Sequence, residues 1–154
     1  MTKHLLVAAA LLFAPLSARA QLADSKVLTL QAAKTALAAA EAEARKNNWN
    51  VSIAVVDVAG ELLAFERFDD AAIMTVAVSQ GKARTAARGK RPSKTYDSLV
   101  TAGRVQLLAF DVIPVEGGVP ITVNGKIVGA VGTSGATSAQ DAQVSKAGAE
   151  AVKP

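Results

Sequence analysis

Apolar residues change their spacing several times along this chain, and each change marks an element. From Thr29 onward, Leu30, Ala33, Leu37, Ala40 and Ala44 recur at three- and four-residue steps, which predicts a helix with one apolar face. Thr29 can cap its start, and the intervening alanines favour helix by propensity. Lys46, Asn47 and Asn48 close it with a cation near the negative end of the helix dipole and residues tolerant of left-handed backbone. Val51–Val58 is then rich in β-branched residues and reads as a strand, and Glu61–Phe68 as its return strand. The turn chemistry of Asp57-Val58-Ala59-Gly60 joins them into a hairpin. Strict alternation would put Leu63, Phe65 and Arg67 on one face, with Leu62, Ala64 and Glu66 on the other.

Asp69-Asp70 precedes a second helical pattern from about Ala71 to Ala87, where two acids suit a helix start. Its expected buried positions are Ile73, Met74, Val76, Ala77, Ala83 and Ala87. Pro92 ends the regularity, and Thr95–Leu108 reads as a loop containing a short helical piece. Gly117-Gly118-Val119-Pro120 leads into Ile121-Thr122-Val123, and Asn124-Gly125 separates this run from Lys126–Val131. Asn-Gly between β-rich runs is a strong hairpin signal because both residues tolerate positive φ. Gly129, Gly132 and Gly135 suggest close backbone approach. Ser138, with Asp141 three residues on, resembles a capping box for a last helix reaching about Ala151. Two hairpins separated by helices predict an α+β domain with an antiparallel sheet, not a parallel Rossmann sheet.

The N-terminus changes the picture of where such a domain works. Lys3, the apolar run Leu5–Leu16 and the small residues around Ala18-Arg19-Ala20 have the three parts of a secretion signal. The run is shorter than the ~20 residues of a membrane span. Residues 1–20 are therefore expected to be cleaved, leaving one domain over 21–154 in the periplasm or outside the cell, with no membrane span after cleavage. The precursor's 17 basic residues would fall to 15 against 13 acidic ones. The single histidine, His4, would leave with the signal, and the chain has no cysteine. Ser–His and Cys–His nucleophile systems are thereby excluded from the mature chain. Small net charge without basic–aromatic interleaving argues against nucleic acid as a partner.

The local feature with most chemical content is the basic run from Lys82 to Lys94. At helical spacing Arg84 and Arg88 share a face, with Lys82 not far around the cylinder. Such a cluster suits phosphate, carboxylate or porphyrin propionate, and equally suits a solvated helix end. The glycines at 129, 132 and 135, with Thr133 and Ser134, suit either an anion cradle or tight packing of strand on helix. Gly117-Gly118 reads either as donors to a ligand or as steering an edge strand. Among carboxylates, Asp57 and Asp141 are the candidates for acid–base work, against simpler roles at a turn and a helix start.

Five strings in register resemble the GlcG/HbpS-like family, which includes the related C-terminal domain of PduO. They are Val51–Asp57 (VSIAVVD), Gly60–Arg67 (GELLAFER), Lys82–Ala87 (KARTAA), Gly117–Ile121 (GGVPI) and Val128–Gly135 (VGAVGTSG), followed by Gln140-Asp141. The resemblance implies a profilin-like α+β fold: a central antiparallel sheet of about five strands with helices on both faces. It also implies homo-oligomers, and haem binding in some members. Without histidine in the mature chain, Tyr96 and Met74 are the remaining side chains of usual haem-ligand type, so the cofactor stays unknown and haem one option.

The expectation is an exported, oligomeric binding or accessory protein for a small anionic ligand or tetrapyrrole. Its site would lie between the Lys82–Arg88 helix and Gly117–Ile121. Lys82, Arg84 and Arg88 would hold acid groups, with Gly117, Gly118 and Thr133 as donors. Two alternatives stand beside it: an enzyme acting on a small carbonyl acid through Asp57 or Asp141, and a structural assembly protein without a ligand.

Overall fold

The computed structural model describes residues 25–154; the expected signal at 1–20 lies outside them. The elements run α1 (Leu30–Lys46), β1 (Ser52–Asp57), β2 (Leu62–Arg67), α2 (Thr75–Gly89), α3 (Lys94–Thr101), a 3-10 turn (Val105–Ala109), β3 (Gly118–Val123), β4 (Lys126–Ser134) and α4 (Ser138–Ala151). The strands form one sheet in the order β2-β1-β4-β3, antiparallel throughout. The fold is α+β, with four strands among the described residues where about five were expected.

Alternation along β1 divides the core in two. Ile53 and Val55 face α1 and α4, joining Ala33, Ala36, Ala40, Val131 and Val144. Ala54 and Val56 face the other way, against Ala83, Ala86 and Ala87 of α2. The α2 side is built from small residues, so the helix lies very close to the sheet. At Gly132 an added Cβ would meet the Ser79 carbonyl and the Ala83 backbone and side chain. Close packing is thus what this glycine provides.

Four expectations shift for physical reasons. A bulge between Val55 and Val56 breaks the alternation of β2, so Leu63 and Ala64 both pack on the α1 side while Phe65 packs on the α2 side. Leu30 is the first residue of α1 and lies half exposed, outside the buried stripe. Helix α2 starts at Thr75, not Ala71, because the Thr75 hydroxyl donates to the Ala72 carbonyl at 2.6 Å and bonds Ser52 Oγ at 2.7 Å. Ile73 and Met74 therefore sit on a turn before the helix, 79% and 71% exposed, and not in the core. Helix α4 is capped by Thr137: Gln140 N donates to Thr137 Oγ1, and the Gln140 side chain accepts from Thr137 N. The box falls one residue earlier than Ser138/Asp141, which leaves Asp141 free to turn inward.

Among the described residues no helix is long and apolar enough to cross a membrane.

Candidate functional site

Lys82 leaves α2 through the tight joint between that helix and the start of β3. It is 2% exposed, and its Nζ donates to Asp141 Oδ2 at 2.8 Å and to the Thr133 carbonyl at 3.1 Å. Asp141, also 2% exposed, accepts the Ala136 N–H on its other oxygen at 3.0 Å. Burial pushes the Asp141 carboxyl above its ordinary value, while the Lys82 ammonium pulls the other way. Ser145 Oγ donates to the Gly117 carbonyl at 2.7 Å and lies 2.8 Å from Thr133 Oγ1. On the outer side, Gly118 N donates to Ser93 Oγ at 2.8 Å, and that hydroxyl donates to the Val115 carbonyl at 2.7 Å. Lys82, Gly117, Gly118, Thr133 and Asp141 are thus brought together, but they serve one another. A Cβ on Gly118 would meet the Lys82 carbonyl and Ser93 Oγ, so α2 and the β3 start form a packed joint where a pocket was expected.

Arg84 and Arg88 lie outside this joint, at the β1–β2 turn. A Cβ on Gly60 would meet Arg84 Cγ and Arg88 Nε; with φ at 86°, the position also suits glycine by backbone. Arg88 is engaged: Nε donates to the Ala59 carbonyl at 2.7 Å, and its terminal nitrogens reach Asp111 at 2.9 Å and Glu61 at 3.3 Å. Arg84 differs. Its Nε is buried and has no hydrogen-bond partner, a state that costs about 1–3 kcal/mol when left unrelieved. Val58 and Leu62, on the hairpin that carries Gly60, and Phe110, next in sequence to Asp111, are exposed.

Neither candidate carboxylate opens onto a cleft. Asp57 Oδ1 accepts the Ala59 and Glu61 N–H groups at 2.9 Å each, holding the turn, and Asp141 is buried against Lys82. Met74 is in solvent, and the Tyr96 ring lies against the backbone at Gly89. No group of three or more His, Cys, Asp or Glu among the described residues could hold a metal. Reading the sequence overlooked Ser93 and Ser145, which join the buried network; isolated serines in Pro-Ser and Val-Ser contexts carry no signal of it.

The family model described as haem degrading protein HbpS-like matches residues 28–150. The chain is 52% identical over 109 residues to Protein GlcG of Escherichia coli strain K12, covering 70% of this chain and 81% of that protein. The crystal structure of Klebsiella pneumoniae protein ORFY superposes with a TM-score of 0.80 at 30% identity, over 86% of this chain and 94% of that one. A double mutant of Streptomyces reticuli HbpS gives 0.78 at 33% identity, over 89% and 95%.

Proposed function

This chain belongs to the HbpS-like family, and from that premise we propose that it is an exported, oligomeric protein that binds a small anionic ligand, a tetrapyrrole or an anionic metabolite. The observation that carries the reading is Arg84. Its side chain is only partly buried at the β1–β2 turn and, unlike Lys82 and Arg88, is engaged by no protein acceptor, so its terminal nitrogens are where an acid group would gain a charge-assisted hydrogen bond. The family description and the kinship to HbpS support haem as one ligand of this class. The signal-like residues 1–20 support a periplasmic or secreted site of action.

A haem iron held by histidine has no side chain to hold it among the described residues, which leaves Tyr96 and Met74 as the side chains of usual haem-ligand type. The described residues include no histidine, Met74 is 71% exposed on a turn, and Tyr96 is laid against Gly89.

Native mass spectrometry of the protein isolated from its own cell envelope tests the whole reading. The expected spectrum shows a chain shortened by the signal, in a multiple-copy assembly retaining a small acidic molecule. A full-length, ligand-free single chain would overturn it.

A further inference from the structure

We infer that α3 and the 3-10 turn form an arm through which two copies of this chain clasp each other, the Leu108–Phe110 tip of each copy lying on the α3 groove of the other. This rests on the oligomer of the reading above and assigns it an interface.

The stretch Lys94–Glu116 is rich in large apolar residues, among them Leu99, Val100, Val105, Leu108 and Phe110, yet none of its residues is buried. Polar ties hold it in place. Its two ends are pinned together where Ser93 N donates to the Gly118 carbonyl at 3.0 Å and Gly118 N to Ser93 Oγ at 2.8 Å. Ile113 N donates to Thr85 Oγ1 at 2.8 Å, Glu116 N to Asp97 Oδ2 at 3.1 Å, and Arg88 to Asp111 at 2.9 Å. A segment fixed in this way is preorganised, so covering it costs little ordering entropy and gains the burial of its apolar area.

The arm carries two features that match each other. Pro92, Thr95 and Leu99 recur at three- and four-residue steps on one side of α3 and the turn leading into it. With Lys94 and Ser98 they line a shallow groove of about 430 Å³, large enough for more than one apolar side chain. At the far end Leu108 and Phe110 stand exposed as knobs. Charge follows the same match: the Lys94 side chain at the edge of the groove is 63% exposed, and that of Asp111, next to Phe110, is 78% exposed. A tip laid on the groove brings these opposite charges together. Knob, groove and both charges belong to one chain, as a twofold interface requires, with the same patch on both copies and each contact made twice. Lys94–Glu116 is also within the ~20–30 residues a side that a stable interface uses. The described part of the chain begins elsewhere, with Leu28 in the core of α1 and α4. The arm lies across the sheet from there, where Ile113 and Tyr96 crowd Gly81 and Gly89 of α2.

The chain has no cysteine, so placed thiols report only the intended contact. Ala109→Cys on the tip and Thr95→Cys in the groove are made as separate variants with tags of different mass, coexpressed, and treated as mature protein with a short bismaleimide. The expected product joins one copy of each, and neither variant alone gives a covalent pair. Leu99→Asp, which sets a charge in the groove, should raise the dissociation constant of the assembly about tenfold or more, with circular dichroism confirming its fold. Ala109→Cys joining to itself would put tip against tip and overturn the inference. So would an oligomer that gives no mixed product, or one that Leu99→Asp leaves as tight as wild type. In each of these cases the oligomer of the reading above stands on another interface. A wild-type protein that light scattering finds as a single chain removes that oligomer and the inference with it.

Discussion

An ammonium taken out of water needs substitutes for its hydration, and at Lys82 the substitutes are one carboxylate and one carbonyl. Removing either partner of such a pair strands the other, at a cost of about 3–5 kcal/mol, whereas replacing both with apolar residues of similar volume is often neutral or stabilising. Urea unfolding should therefore find Lys82→Met and Asp141→Leu each strongly destabilised and the double variant destabilised by clearly less than the sum of the two, the remainder being the Thr133 carbonyl and the Ala136 N–H left without these partners. Additive losses in that cycle would show that the pair is not a closed unit. Acid titration gives a second reading of the same pair. Because burial raises the Asp141 pKa above its ordinary 3.8, the folded state holds this proton more tightly than the unfolded one. The stability it contributes is complete below about 3.8 and is lost as pH rises through the raised value. Asp141→Asn, which keeps the shape but not the titration, should thus become less destabilising as pH rises through that window. The residue types of this network were legible in the sequence: Lys82, Gly117, Gly118, Thr133 and Asp141 all stood out. Their mutual use was not, because Lys82 and Asp141 are 59 positions apart. Nothing in a chain's local pattern says whether a cation faces a ligand or its own carboxylate.

At the scale of elements, the sequence carried more. Helix α1, both hairpins and α4 follow from local periodicity and turn chemistry. Asn124 and Gly125 adopt the positive φ values, 52° and 73°, that the turn demands. The misses are places where tertiary contacts override local signals. The Thr75–Ser52 hydroxyl pair delays α2, and the bulge in the β1–β2 pairing, which leaves Leu63 of β2 unpaired, reassigns that residue. The small-residue face of α2 explains Gly132 of β4, where the helix backbone sits in place of a side chain, whereas Gly129 is crowded by the Val56 carbonyl and Leu28. Gly132→Ala must push α2 off the sheet, since the new methyl meets the Ser79 carbonyl and Ala83. Overpacking of this kind costs about 1–3 kcal/mol. Thermal or urea unfolding should register that loss, and an unchanged midpoint would mean that α2 can retreat freely.

For the whole molecule, the distribution of apolar surface bears on assembly. Within six residues Val105, Leu108 and Phe110 are 60%, 56% and 65% exposed, on a segment that ends at Asp111, the partner of Arg88. Apolar area left in water forgoes about 25 cal/mol per Å², so a surface of this kind gains by being covered. A second copy of the chain is the occupant consistent with the proposed oligomer. Covering the segment would also enclose the neighbouring Arg84 row, strengthening its hold on an acid group by excluding water. Light scattering at micromolar concentration should find a particle heavier than the single-chain mass. Phe110→Asp should dissociate it and weaken carboxylate binding together, with helix content preserved by circular dichroism. A wild-type protein that runs as one chain would remove the oligomer from the proposal. An oligomer untouched by Phe110→Asp would move the interface to another face and leave the Arg84 site open to solvent, where its affinity should fall with rising salt.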